Sequence, residues 1–232
     1  PIAGSMILAG TLLKLGGYGL LRMPALIHES LHSLTTPLII FAMCGVVASA
    51  LLCSRQTDLK SLIAFSSVSH MGLVVTASMI NSPWSVSGAM LLMISHGLVS
   101  SALFCLANTA YERTNSRTMI ILQGSQIILP LAAAWWLLTT MLNMALPPTT
   151  NFMGELLILL SAYKWAPYSI LLAGLGIMFT TAYSLYLFWS SQRGYIPSHM
   201  KALPPTMTRE HILLALHIAP IIMLTLKPEL LF

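Results

Sequence analysis

The chain has 232 residues, of which 56% are hydrophobic and only 7% are charged, and its net charge is +5. An ordinary soluble domain carries roughly 25% charged residues, so this composition excludes a soluble globular protein and favours one that crosses a membrane. No run shows the alternation of a membrane barrel strand. The positive charge lies in the connections, with no basic patch interleaved with aromatic residues, and predicts no nucleic-acid partner.

Seven apolar runs predict an all-α, polytopic membrane fold, because a helix needs about 20 residues to cross a bilayer. We treat residues 1–232 as a single transmembrane domain. The predicted crossings, in chain order, are Ile2–Leu21, Pro37–Cys53, Asp58–Ile80, Trp84–Ala107, Ile127–Tyr163, Tyr168–Ser190 and Glu210–Leu226. The connections contain helix breakers, which are Pro24, LTTP at 34–37, NSP at 81–83 and ALPP at 202–205.

The fifth run is too long for one plain helix, and Pro147 and Pro148 near its middle end a helix. It is either one crossing made of two half-helices or a hairpin. A hairpin would reverse the orientation of every later helix across the membrane. If the run is a single crossing, seven lysine and arginine residues lie on one side of the membrane and three on the other. If it is a hairpin, the numbers are six and four. The positive-inside rule therefore favours the broken crossing, with the richer side in the cytoplasm or matrix. That side holds Arg55, Lys60, Arg113, Arg117, Arg193, Lys201 and Arg209, and the other holds Arg22, Lys164 and Lys227.

The beginning of the chain favours a truncated N-terminal side, with a processed mature terminus as the alternative. The first residue is Pro1, and the first apolar run begins at once. There is neither the charged leader nor the cleavage site of a signal peptide.

The three cysteines predict neither a disulfide nor a metal centre. Cys44 and Cys53 lie nine residues apart on one predicted helix, and the resulting separation of roughly 13 Å is too long for a disulfide. No cysteine–histidine spacing of a zinc or iron–sulfur site is present. We expect Cys44, Cys53 and Cys105 to be small apolar side chains in helices.

Lys14 lies within the apolar sequence LAGTLLKLGGYGLL, roughly 18 Å along the first helix from Ile2. Ionisable residues inside the bilayer are functional candidates by default. Gly10 and Gly17 share its face and leave room for another helix or for water. The alternative is a lysine that extends to the membrane surface near Arg22, about 12 Å away along the helix. We predict that Lys14 binds and releases a proton inside the membrane.

Glu155 follows the Pro147–Pro148 break, and we expect it in the first turn of the second half-helix, beside Gly154. The helix dipole and burial act in opposite directions on its ionisation. Broken helices near the membrane midplane are a recurring feature of transporters. The alternative is a capping residue at a loop. Glu155 is the second candidate for proton transfer.

His70 in AFSSVSHMGL and His96 in LMISHGLVSSALF each lie near the middle of a predicted helix. Ser66 precedes His70 by four residues and Ser100 follows His96 by four, a pattern that could hold water and relay protons. The alternative for each is a neutral histidine bonded to a serine or a backbone carbonyl. Together with the two preceding candidates, the histidines predict a row of titratable groups at similar depth.

Asp58 and Lys60 open the third crossing in RQTDLKSLIAFSS and are assigned a supporting role. Asp58 suits a helix start electrostatically, and Lys60 suits a position at the membrane surface. No Walker loop and no dinucleotide fingerprint occurs, so no cofactor or metal is predicted in this chain.

Five stretches of the chain resemble the chain 4 family of NADH–ubiquinone oxidoreductase in its animal mitochondrial form. They are PIAGSMILAGTLLKLGGYGLLR, RQTDLKSLIAFSSVSHMGLV, SHGLVSSALFCLAN, YERTNSR and ALPPTTNFMGEL. Members of this family are antiporter-like membrane subunits of respiratory complex I, and the resemblance covers essentially the whole chain. It implies that the chain is the C-terminal half of a subunit with 14 transmembrane helices. The glutamate and lysine of the family's first half-channel would then lie upstream of Pro1.

The resemblance also implies roles. Lys14 matches the central lysine of the family's proton path, Glu155 the acidic residue near its exit, and His70 and His96 the histidines of the connecting hydrophilic axis. The implied function is redox-driven proton pumping across the mitochondrial inner membrane, with other membrane-arm subunits as partners. NADH, flavin, iron–sulfur clusters and ubiquinone are expected on other subunits. A stand-alone cation/proton antiporter component and a non-conducting scaffold are the alternatives.

Overall fold

Ten α-helices form the parts of the chain that the computed structural model describes, which are residues 2–25, 32–195 and 204–228. They are α1 (Ile2–Ile7), α2 (Leu13–Arg22), α3 (His32–Ser54), α4 (Leu59–Ile80), α5 (Pro83–Thr114), α6 (Ser125–Ile128), α7 (Pro130–Asn143), α8 (Thr150–Trp165), α9 (Ser169–Gln192) and α10 (Thr208–Leu226). The predicted break at Ala202 and Leu203, and the Lys201 charge, lie outside the described residues.

Six helical stretches are long and apolar enough to cross a membrane, and a seventh span is counted when the bent pair Met119–Ile128 and Pro130–Asn143 is included. The first stretch joins α1 and α2 through the π-helical turn Leu8–Leu12. Over the described residues, the only β-type pairing is an isolated bridge. The prediction of an all-α, polytopic fold with about seven crossings is therefore confirmed.

The fifth region is broken as predicted, and also at a second place. Pro147 and Pro148 lie between α7 and α8, where Ala145 takes a left-handed conformation with φ 54°. The predicted start at Ile127 is wrong, because the chain bends by 118° before α7 begins at Pro130. This additional bend lies at Leu129, between α6 and α7, and the polar sequence QGSQ at 123–126 and Pro130 were the signals for it in the sequence.

Contacts between helix ends favour a single broken crossing over a hairpin. Ser125, just before α7, donates to the carbonyl of Ser191 at the end of α9 at 3.1 Å. Arg113, at the end of α5, pairs with Glu210 at the start of α10 at 2.6 Å. A hairpin over residues 127–163 would put the end of α9 on the opposite side from the start of α7. We call the side that holds these contacts the Arg113 face.

Two predicted boundaries are wrong. Pro37 was expected to break the chain, but it lies inside α3. Membrane helices tolerate proline because neighbouring helices, serine or threonine side chains and small local changes of the helix satisfy the backbone groups that it frees. α5 continues seven residues beyond the predicted end at Ala107, to Thr114, and this last part carries the polar sequence that the hydropathy pattern assigned to a connection.

α5 is the central helix, and it packs against α1, α4, α7, α8 and α10. Its contact with α8 depends on two glycines that face each other. A Cβ added at Gly154 would lie 3.0 Å from the backbone nitrogen of Leu92, and one at Gly88 would lie 3.0 Å from the carbonyl oxygen of Gly154. The two backbones thus approach as closely as small residues permit.

Replacing Gly88 with alanine should destabilise the protein by about 1–3 kcal/mol, because an added methyl overpacks this contact. The new Cβ would lie 2.9 Å from the Cβ of Leu157. Unfolding of the detergent-solubilised protein measures the effect. Gly174→Ala on α9 is the matched control, since its added Cβ meets nothing within 4 Å. Equal stability of the two variants would contradict the close packing.

Candidate functional site

The Lys14 side chain turns into the helix bundle. Its Nζ donates to the carbonyl oxygen of Ala9 at 2.5 Å and lies 3.3 Å from Nδ1 of His96. Ala9 belongs to the π-helical turn, and its carbonyl lies five residues towards the N-terminus, away from Arg22. The alternative of a lysine that extends towards Arg22 is therefore wrong. Gly97 makes room for the lysine, because a Cβ there would lie 3.0 Å from the Lys14 Cε.

The two glycines predicted to flank Lys14 behave differently. A Cβ added at Gly17 would lie 2.5 Å from the sulfur of Met93, so this glycine does allow α2 to pack closely against α4 and α5. A Cβ added at Gly10 would meet nothing within 4 Å. Close packing around the lysine is therefore confirmed for Gly17 only.

The two histidines are buried side by side between α4 and α5. The ring centroids of His70 and His96 are 4.9 Å apart, and the rings are tilted by 38°. On the other side of this pair, Nδ1 of His70 lies 3.3 Å from Oε1 of Glu155. That separation is short enough for an ion pair, although its angles do not meet the criteria of a hydrogen bond.

Glu155 lies one turn deeper in α8 than expected. α8 begins at Thr150, so Glu155 is its sixth residue, and Thr149 caps the helix by accepting from the Phe152 N–H at 3.4 Å. The expected position in the first turn and the alternative role as a cap are therefore wrong. Glu155 is only 4% exposed, and it lines a cavity of about 270 Å³ together with residues of the α7–α8 break, including Pro147.

Four titratable side chains thus form one continuous row across α2, α5, α4 and α8, in the order Lys14, His96, His70 and Glu155. Within this row, Nε2 of His96, both ring nitrogens of His70 and Oε1 of Glu155 are buried without a hydrogen-bond partner. Buried polar groups normally have partners, so these atoms are suited to proton exchange with each other or with water. A neutral imidazole can accept a proton on one nitrogen and release one from the other.

The serines beside the histidines do not bond to them. Ser66 donates to the carbonyl of Ile63 at 2.7 Å, and Ser100 donates to that of Gly97 at 3.4 Å. Hydroxyls in a helix commonly bond in this way to their own backbone. Each serine keeps free lone pairs, and Ser66 is itself buried.

Asn151 is a residue of the site that the sequence interpretation missed. Its amide nitrogen donates to the carbonyl of Leu142 at 2.8 Å, near the end of α7, and its amide oxygen accepts from Ser95 on α5. It therefore joins both sides of the break to the helix that carries His96. An asparagine four residues before Glu155 in an apolar half-helix was the available signal, because a buried amide needs partners.

Tyr183 of α9 was also missed. Its side chain is buried, and its hydroxyl lies 3.3 Å from Oγ of Ser69, next to His70 along α4. The sequence did not predict that Tyr183 is buried beside His70, since a tyrosine ring in an apolar helix can equally well face lipid.

Asp58 and Lys60 lie at the beginning of α4, and the structure does not bring them into the row. Asp58 occupies the N-cap position but makes no capping hydrogen bond, and Lys60 Nζ lies 5.4 Å from the centroid of the Tyr111 ring. Cys44, Cys53 and Cys105 are free thiols. Within residues 2–25, 32–195 and 204–228, no group of three histidine, cysteine or acidic side chains is arranged to hold a metal ion.

A bundle of membrane-spanning helices with a broken helix and an internal row of titratable side chains defines the class of antiporter-like membrane proteins. A model of the family described as NADH:quinone oxidoreductase/Mrp antiporter, TM, matches residues 1–181. The chain belongs to this family.

Relatives and solved structures agree with this assignment. NADH-ubiquinone oxidoreductase chain 4 of Carassius auratus is 57% identical over 232 residues, which are 100% of this chain and 50% of that protein. The chain thus spans about half the length of the curated relatives it matches. A chain of respiratory complex I from Thermus thermophilus with bound NADH superposes with a TM-score of 0.87 at 25% identity, over 94% of this chain and 46% of that one. A chain of the Mrp complex from Dietzia sp. DQ12-45-1b gives 0.83 at 26% identity, over 97% and 25%.

Replacing Asn151 with alanine should destabilise the protein by about 1–3 kcal/mol, because it removes two buried hydrogen bonds that join α8 to the end of α7 and to α5, each worth about 0.5–1.5 kcal/mol. The free energy of unfolding in detergent measures this loss. Thr225→Ala is the control, since that exposed hydroxyl bonds only to its own helix, at the Ile222 carbonyl. A loss no larger than that of Thr225→Ala would rule out the bridging role of Asn151.

Proposed function

We propose that this chain is the proton-translocating part of an antiporter-like membrane subunit of NADH:ubiquinone oxidoreductase, in the mitochondrial inner membrane. The observation that carries the proposal is the continuous row of Lys14, His96, His70 and Glu155. The identity to NADH-ubiquinone oxidoreductase chain 4 proteins supports the choice of complex. The other membrane-arm subunits of that complex are its partners.

Proton transfer along the row proceeds by exchange between neighbouring groups. The Lys14 ammonium breaks one N–H bond and gives the proton to Nδ1 of His96, which leaves the amine neutral and the imidazole positively charged. A second proton leaves the opposite nitrogen of His96 towards His70. His70 then transfers a proton from Nδ1 to Oε1 of Glu155, 3.3 Å away. Glu155 becomes the neutral acid and releases its proton into the cavity beside the α7–α8 break.

The redox chemistry belongs to other subunits. NADH, flavin, iron–sulfur clusters and ubiquinone supply the electron transfer, and this chain responds through the charges along its row. Protonating one member of the row repels a proton from its neighbour, because charges separated by 3–5 Å interact strongly when buried. A change of charge at one end therefore moves protons along the whole row.

Replacing Lys14 with methionine should reduce proton translocation driven by NADH oxidation to about a tenth or less, since a positioned proton-transfer group typically contributes about 10²-fold or more. Proton uptake and NADH oxidation are measured separately in membranes that contain the assembled complex. Lys164→Met is the matched control: it removes the same charge, from an ammonium that lies 4.0 Å from the centroid of the Trp84 ring. Unchanged translocation by Lys14→Met in an assembled complex would refute the proposal and favour a scaffold.

Replacing Gly97 with valine should also lower translocation, by about tenfold, because a displacement of about 1 Å can cost as much as 10²-fold in transfer rate. The new side chain would occupy the space of the Lys14 Cε and push its ammonium away from His96. Gly19→Val is the control, because its added Cβ meets nothing within 4 Å. Translocation at the level of Gly19→Val would show that the position of the ammonium does not matter.

A cation/proton antiporter component is the second candidate, and the superposition with the Mrp complex favours it. The row of titratable groups serves either function. Proton uptake that follows NADH oxidation and stops with a quinone-site inhibitor supports the redox pump. Exchange driven by a sodium gradient in the absence of NADH would support the antiporter instead.

A further inference from the structure

We propose that a second cavity, between the first membrane helix, α5 and α10, is the aqueous route by which protons reach Lys14 from the Arg113 face. This inference rests on the proposed function and adds the uptake side to it. The cavity has a volume of about 220 Å³ and lies apart from the row. The residues that matter for the argument are Met6, Cys105, Asn108, Glu112, Arg209 and Glu210.

Asn108 shows that the cavity is built for a polar occupant. Its side chain is only 8% exposed, and its amide nitrogen donates to Oε1 of Glu112 at 2.7 Å. Its amide oxygen is buried and has no hydrogen-bond partner. A buried carbonyl oxygen is costly unless something donates to it. The donor that fits a cavity of this size is water or its protonated form.

The mouth of the cavity carries one carboxylate that is not held in an ion pair. Glu210 is already neutralised, because both of its oxygens accept from Arg113, at 2.9 and 2.6 Å. Among the described residues, no cation lies within ion-pair distance of Glu112. Arg209 is exposed at the rim. The Glu112 carboxylate beside Asn108 therefore keeps oxygen lone pairs that can accept hydrogen bonds from water or take up a proton.

One face of α5 leads from this mouth to the lysine. Five residues spaced three or four apart lie on this side of the helix, namely Gly97, Ser101, Cys105, Asn108 and Glu112. Gly97 contacts the Lys14 side chain, and Asn108 and Glu112 lie at the mouth of the cavity. A single helix face thus connects the aqueous side with the interior.

The inner end of the cavity is closed by two sulfur-containing side chains. The Cys105 thiol lies 3.6 Å from the sulfur of Met6, and Met6 precedes Lys14 by eight residues, or roughly 12 Å along the helix. Methionine is unbranched and changes its conformation readily. The Met6 side chain therefore controls the last part of the route, and Ser101 is the next polar group beyond it.

The experiment places a thiol in the cavity. Asn108→Cys is prepared in the full-length protein, within its assembled complex, after the exposed Cys44 of this chain has been replaced by alanine, and the same complex without Asn108→Cys is the reference for labelling at other cysteines. A membrane-impermeant cationic thiosulfonate is then added to one side of sealed vesicles. We expect modification at least tenfold faster from the Arg113 face than from the opposite face. Ile212→Cys is the control, because Ile212 lies near the start of α10 and its side chain is 61% exposed on the outer surface of the bundle.

Proton translocation is measured before and after modification. We expect it to fall at least tenfold when the bulky cation is attached at position 108, and to recover when a reductant removes it, which excludes misfolding as the cause. No modification, or modification without any change in translocation, would overturn the route. Absence of labelling would leave the proposed function intact, whereas unchanged translocation by Lys14→Met would contradict the proposed function whatever the labelling shows.

Discussion

An ammonium group inside a bilayer requires solvation, and the structure shows how protein atoms provide it for Lys14. Its nitrogen contacts a backbone carbonyl and an imidazole nitrogen, both supplied by the bundle. The π-helical turn Leu8–Leu12 places the carbonyl of Ala9 within reach, and Gly97 leaves the space. Burying a charge without such partners is prohibitively costly. The first membrane helix and α5 together satisfy this requirement.

α5 connects that requirement to the rest of the site. It presents His96 to the lysine and to His70, and through Ser95 it holds Asn151 at the α7–α8 break. About two turns before Ser95, Gly88 brings α8 into close contact. The helix that carries the centre of the row therefore also positions its acidic end. Changes at the break and changes at the lysine act on the same rigid element.

Much of this arrangement could be predicted from the sequence, because an ionisable residue in an apolar helix is conspicuous and its distance from the helix end fixes its depth. This holds for Lys14, His70 and His96, whereas Glu155 lies one turn deeper in α8 than the position expected from the proline break. The sequence could not indicate which helix faces would meet, since the apolar faces of membrane helices are alike in composition. The contact of Lys14 with His96 joins residues 82 positions apart, and the bridge through Asn151 depends on a tertiary pairing that hydropathy does not record.

The errors have physical causes as well. Hydropathy locates where apolar sequence stops, which differs from where a helix stops, and α5 therefore extends beyond its apolar part. Proline ends helices in water more reliably than in lipid, which explains why α3 continues through Pro37. The π-helical turn does not interrupt the hydrophobic pattern, whereas the bend at Leu129 follows the polar sequence QGSQ and precedes Pro130.

The contact between His70 and His96 has a mechanical consequence. The two rings are carried by different helices, with centroids 4.9 Å apart, and no covalent or hydrogen-bonded link fixes them to each other. α4 ends at Ile80 and α5 begins at Pro83, so only two residues join the helices, and Ser82 is itself held by hydrogen bonds to Ser85. This short connection limits sliding of α4 along α5, and the alignment of the two imidazole rings is therefore set by the turn at the ends of their helices.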